Sequence, residues 1–117
     1  MSESEWQRVC QADTRVEVDR FAWTAVNSAE KVHTVASLLP DPLGLFDLQG
    51  NVSEWVLRSP ECAVLKGANF TDPAELATCD HSIEDTDALS DGDPQVPRSQ
   101  WWRVGAPWAG FRVVFED

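Results

Sequence analysis

The chain has 117 residues and a formal net charge of −11, with a sequence pI near 4.4. That length supports one domain with one modest core, and the acidic balance excludes nucleic acid as a partner, because phosphate binding needs a basic surface. Hydrophobic residues make up 43% without a long apolar run, so no membrane-spanning helix is expected, and the acidic start Met1-Ser2-Glu3-Ser4-Glu5 predicts a soluble, cytoplasmic protein.

Ser2 to Glu5 has capping-box spacing, and Trp6, Val9 and Cys10 then fall on one helical face, which predicts a short amphipathic helix to about residue 12. Residues 13 to 43 mix charge, short apolar pairs and Pro40/Pro42 without sustained periodicity and read mostly as loop. The densest segment follows, Gly44-Leu45-Phe46-Asp47-Leu48-Gln49-Gly50-Asn51-Val52-Ser53-Glu54-Trp55. Gly50 permits a turn with positive φ, and Asn51 can bond its own backbone, so the chain is expected to reverse just before Glu54 and Trp55. The outward carbonyls of Gly50, Asn51 and Val52, the Asn51 amide oxygen and the Glu54 carboxylate together make a candidate cage for Ca²⁺, a hard cation that takes several oxygens in irregular geometry.

Trp55-Val56-Leu57 and Cys62 to Ala68 read as strands with a turn at Ser59-Pro60. In Thr71-Asp72-Pro73-Ala74-Glu75, Asp72 suits a cap and Pro73 a first helical position, which predicts one or two helical turns through Thr78. Residues 67 to 97 carry eight Asp or Glu and no Lys or Arg. A solvated loop explains this run; a Ca²⁺ loop around Asp85 to Asp93 is the alternative, although it fails the EF-hand pattern, with Leu89 and Arg98 at ligand positions. Trp101, Trp102, Arg103 and Trp108 then cluster, either as core plugs under long loops or as a ligand or partner surface, since Trp beside Arg is enriched at interface hot spots. In the closing segment Phe111, Val113 and Phe115 alternate with Arg112, Val114 and Glu116, predicting a strand with one strongly apolar face. Cys10, Cys62 and Cys79 cannot all pair and lack C-x-x-C spacing, so free, partly buried thiols are expected rather than disulfides or a zinc site.

Residues 44 to 55 resemble the G-L-Y-D-M-x-G-N-V-W-E-W signature of the formylglycine-generating enzyme family, also called the sulfatase-modifying factor domain. Ser4-Glu5-Trp6 resembles the end of that family's T-E-A-E-W-E helix, Val64-Leu65-Lys66-Gly67-Ala68-Asn69-Phe70 its V-L-R-G-G-S-W strand, and Gly110-Phe111-Arg112-Val113-Val114 its terminal G-F-R strand. The blocks occur in the family's order. The resemblance implies an α+β, C-type-lectin-like fold, a small twisted antiparallel sheet with long loops, with residues 1 to 117 as the C-terminal part of such a domain. Family members carry strands before the E-W helix, so the terminal strand is expected to present an edge that a second copy or a protein or peptide partner covers.

Active members are expected to oxidise a substrate cysteine with copper held by two cysteines spaced C-x-x-x-x-C after the R-G-G-S-W block, because soft Cu(I) suits a pair of thiolates. Here Cys79 has Ala74 five positions before it and Glu84 five after, so copper is not expected. Another branch uses non-heme iron, which needs two His and a carboxylate; His33 and His81 have no paired spacing. The expected function is therefore a non-catalytic binding module, with Ca²⁺ as its candidate ion. The runner-up is a metal-dependent oxidoreductase forming formylglycine, completed by further sequence or another chain. The Asp93-Pro94-Gln95…Trp101-Trp102…Gly110-Phe111-Arg112 ending resembles bacterial multidomain members.

Overall fold

A computed structural model describes residues 1–84 and 107–114. The predicted helix is α1, Glu3–Gln11, and its start follows from the sequence: the Ser2 hydroxyl accepts the Glu5 N–H while the Glu5 carboxylate accepts the Ser2 N–H. Trp6 and Cys10, one turn apart, are its buried residues. Two strands form the predicted hairpin, β1 (Ser53–Ser59) and β2 (Cys62–Lys66), antiparallel with Val56 opposite Val64 and an irregularity at the Leu57–Ser59 end. β3 (Ser82–Ile83) adds antiparallel to β2, and β4 (Ala109–Gly110) adds parallel to β1, so the sheet order is β3-β2-β1-β4. Trp6, Cys10, Leu48, Val56 and Val64 form the core between α1 and the hairpin. No helix among the described residues is long and apolar enough to cross a membrane.

Four expectations need correction. The sheet is mixed, because β4 runs parallel to β1. The terminal strand is two residues long within the described part, and its apolar face is outward: Phe111 is 78% and Val113 62% exposed, while Arg112 turns inward. An ion pair outcompetes apolar burial for the inward position. The segment after Asp72 makes only a 3₁₀ turn, Ala74–Leu76; Pro73 is its extended N-cap, and Asp72 bonds the Asn69 N–H instead of capping. The cysteines are not all free, since Cys10 of α1 and Cys79 form a disulfide with Cα atoms 5.8 Å apart, leaving Cys62 as the free thiol. Cys10 faces the core beside the segment that carries Cys79, a proximity that spacing along the chain does not encode.

The loop reading of residues 13 to 43 holds, with one 3₁₀ turn at Val18–Arg20. The Asp85 to Asp93 loop, Trp101, Trp102, Arg103, Phe115 and Glu116 lie outside the described residues.

The disulfide joins residues 69 apart, so it removes much freedom from the unfolded chain. Replacing both Cys10 and Cys79 with Ser is expected to cost about 2–4 kcal/mol, read as a lowered denaturant midpoint at unchanged slope.

Candidate functional site

The Gly44 to Trp55 turn builds the site. Asp41 starts it, its buried carboxylate accepting the N–H groups of Leu43 (2.9 Å) and Leu45 (2.8 Å). Asp47 adopts φ 57° and accepts the Ala36 N–H at 2.9 Å, while Ala36 is itself left-handed at φ 61°. Gln49 is buried; its Oε1 accepts the Ala68 N–H and its Nε2 donates to the Thr78 carbonyl. Gly50 is required for two reasons: its φ is 84°, and a Cβ would lie 2.5 Å from the Trp23 nitrogen and 2.8 Å from Ala22.

Asn51, at φ 64° and 2% exposed, works as a clip. Its Oδ1 accepts the His33 N–H (2.9 Å) and its Nδ2 donates to the His33 carbonyl (3.0 Å). Its backbone N–H donates to the Trp23 carbonyl, and its carbonyl accepts from Phe70. The His33 ring stacks on Trp23 at 3.8 Å, so this histidine is occupied in holding two loops together.

Glu54, also buried at 4% exposure, meets Arg112 edge to edge: Arg112 Nε and Nη2 donate to its two carboxylate oxygens at 3.0 and 2.8 Å, and Nη2 also donates to the Phe46 carbonyl. Burial raises the Glu54 carboxyl above the usual range, opposed by Arg112; the same pairing raises the guanidinium. This arrangement bears on the expected Ca²⁺ cage at Gly50, Asn51, Val52 and Glu54. The Asn51 amide oxygen and both Glu54 oxygens already accept protein hydrogen bonds, those of Glu54 from the Arg112 guanidinium. Among the described residues no group of three or more His, Cys, Asp or Glu side chains is arranged to hold a metal.

A cavity of about 400 Å³ lies over this pair. Its walls include Val35, Phe46, Asp47, Val52, Phe111 and Arg112, and four of its backbone positions, Ala36, Gly44, Asp47 and Asn51, have positive φ. Left-handed non-glycine backbone is costly and concentrates where a surface must be held in one shape. A mostly apolar hollow with a few converging polar groups can hold an apolar group and orient it by charge. Periodicity does not reveal this site, since its residues come from three loops and the chain end; the outward alternation of Phe111 and Val113 around Arg112 was the available signal. Of the expected aromatic surface, Trp108 is described: it is half-buried just before β4 and its carbonyl accepts the Ser53 N–H at 2.7 Å.

The copper expectation can be tested on the residues present. Cys79 is bonded to Cys10, and Cys62 alone is free, so no two thiolates are offered to Cu(I) and the residues do not fit that centre. Lys66 is also spoken for; it is buried, its Nζ donates to the Cys79 carbonyl at 2.8 Å and lies 5.2 Å over the Trp6 ring, and burial lowers its pKa.

The family model of the sulfatase-modifying factor enzyme 1-like domain matches residues 2–116. Among solved structures, variable protein 1 of Treponema denticola is similar at a TM-score of 0.69 and 21% identity, over 94% of this chain and 44% of that one. PvdO from Pseudomonas aeruginosa is similar at 0.66 and 19% identity, over 95% of this chain and 49% of that one. CarF is similar at 0.58 and 20% identity, over 73% and 40%. At these identities the likeness is one of fold, the C-type-lectin-like α+β fold, and the chain spans about half the length of the first two. No curated protein matches the chain.

Three outcomes are expected. Arg112→Ala strands a buried carboxylate and should cost roughly 3–5 kcal/mol by chemical denaturation. Glu54 has a raised folded pKa, so its contribution favours the native state most at low pH and declines as pH rises through that pKa; without Arg112 the pKa rises further. The destabilisation of the variant should therefore shrink as pH is lowered through the raised Glu54 pKa. Thermal melts in Ca²⁺ and in chelator should coincide, and a higher melting temperature in Ca²⁺ alone would restore the cation site.

Proposed function

Since the chain belongs to the sulfatase-modifying factor enzyme 1-like family, we propose that it is a non-catalytic binding module on that scaffold, with the cavity over Glu54 and Arg112 as its binding site. One observation carries this reading. The cysteine that follows the Val64 to Phe70 block is covalently tied to Cys10, and the remaining thiol, Cys62, stands alone. Cysteine oxidation on a two-thiolate copper centre has no ligand set here. What remains is a rigid surface, shaped by positive-φ backbone and fixed by a buried ion pair, of the kind that binds rather than reacts. The Cys10–Cys79 bond also supports an oxidising compartment in place of the cytoplasm expected from the acidic start.

A second reading has one observation in its favour. The chain spans 44% and 49% of the lengths of the two structures most extensively matched, so an oxidoreductase completed by another segment or chain is its competitor. Incubation of the protein with copper, oxygen and a cysteine-containing peptide, followed by mass spectrometry, is expected to return the peptide unchanged. Formylglycine in the product would replace the binding reading with the enzymatic one.

A further inference from the structure

We infer that the open edge of β4, continued by residues 111–114, docks an extended segment of another protein that is both apolar and basic. This rests on the binding-module reading and names the chemistry of its partner. β4 is the last strand of the sheet, and β1 is its only ladder neighbour among the described residues. Beyond Gly110 the chain continues without secondary structure through Val114, and its exposed side chains are apolar: Phe111 at 78%, Val113 at 62% and Val114 at 39%. Edges in soluble proteins are ordinarily blunted by outward Lys, Pro or a bulge. Here the one cation of the segment, Arg112, points inward.

That inward arginine also makes the edge a prepared surface. Its two bonds to Glu54 and one to the Phe46 carbonyl hold the segment in place, so little ordering is left for a partner to impose. A strand added along such an edge gains main-chain hydrogen bonds, and its alternate side chains face the domain. Phe111 lines the cavity of about 400 Å³, as does Val35, 73% exposed. Apolar partner side chains fit this rim, and one longer side chain reaches the cavity.

Charge selects what that side chain carries. Glu54 is neutralised by Arg112, whereas the Asp47 carboxylate in the same wall receives only the Ala36 N–H among the described residues. A lysine or arginine tip complements it. The whole chain carries −11, so two copies repel one another while a basic partner is drawn in. That argument favours a basic partner over self-association at the same edge.

The probe is a short fluorescein-labelled peptide alternating valine with lysine, compared with its valine–glutamate counterpart by fluorescence anisotropy. The lysine peptide should bind and the glutamate peptide should not. Phe111→Ser and Asp47→Asn should each weaken binding about tenfold, while Val16→Ser, at an exposed position outside this cavity, should leave it unchanged. Melting curves of the variants separate lost binding from lost fold. Equal binding of both peptides, or indifference to Phe111→Ser, overturns the inference. A concentration-dependent dimer in sedimentation that Phe111→Ser abolishes also overturns it, by assigning the edge to a second copy. Absent peptide binding together with absent formylglycine would remove this inference alone; formylglycine formation would remove the reading beneath it.

Discussion

Four hydrogen bonds from Asn51 hold together loops that have no regular structure of their own. Its side chain binds both backbone groups of His33, its N–H reaches Trp23 and its carbonyl receives Phe70. A domain this short in strand and helix cannot rely on ladders to satisfy its buried backbone, and an amide that both donates and accepts is the side chain suited to that task. The residue also has to be left-handed, which asparagine tolerates better than most. With Gly50 before it pressed against Ala22 and Trp23, the turn leaves no room for a side chain and little for movement. Glu54, Arg112 and the cavity above them inherit their geometry from this clip.

Local rules were legible where one stretch of chain decides the outcome. The capping box, the Trp6/Cys10 face and the β1–β2 hairpin follow from neighbours in sequence, and the structure has them where the pattern puts them. Pro73 misled because it suits both a first helical position and the extended residue before a turn, and nothing nearby distinguishes the two. The Cys10–Cys79 bond and the Glu54–Arg112 pair were illegible for a different reason. Each joins residues far apart in sequence, and proximity of that kind is a property of the fold. The site shows the same division. Gly50, Asn51 and Glu54 stand out in the sequence as special, and the structure gives the Asn51 amide oxygen and the Glu54 carboxylate internal hydrogen-bond partners.

A net charge of −11 makes copies of the chain repel one another and favours cationic surfaces. The core cluster between α1 and the hairpin is small, and the covalent link from α1 to the segment before β3 adds to what its burial supplies. Lys66, held over Trp6 and bonded to the Cys79 carbonyl, packs directly against that link.

The parallel pairing of β4 with β1 bears on how the domain is assembled. α1, the hairpin and the Asp41 turn are made of contacts close in sequence, whereas β4 comes from the far end of the chain and has only two residues of ladder to reward its arrival. Such a strand closes a long loop for a short ladder, and the bonds of the neighbouring Arg112 to Glu54 and Phe46 supply what the ladder does not. Among the described residues its outer edge has no ladder partner. The placement of the chain end therefore rests on one buried ion pair more than on its ladder, and anything bound along that edge would stabilise the same element.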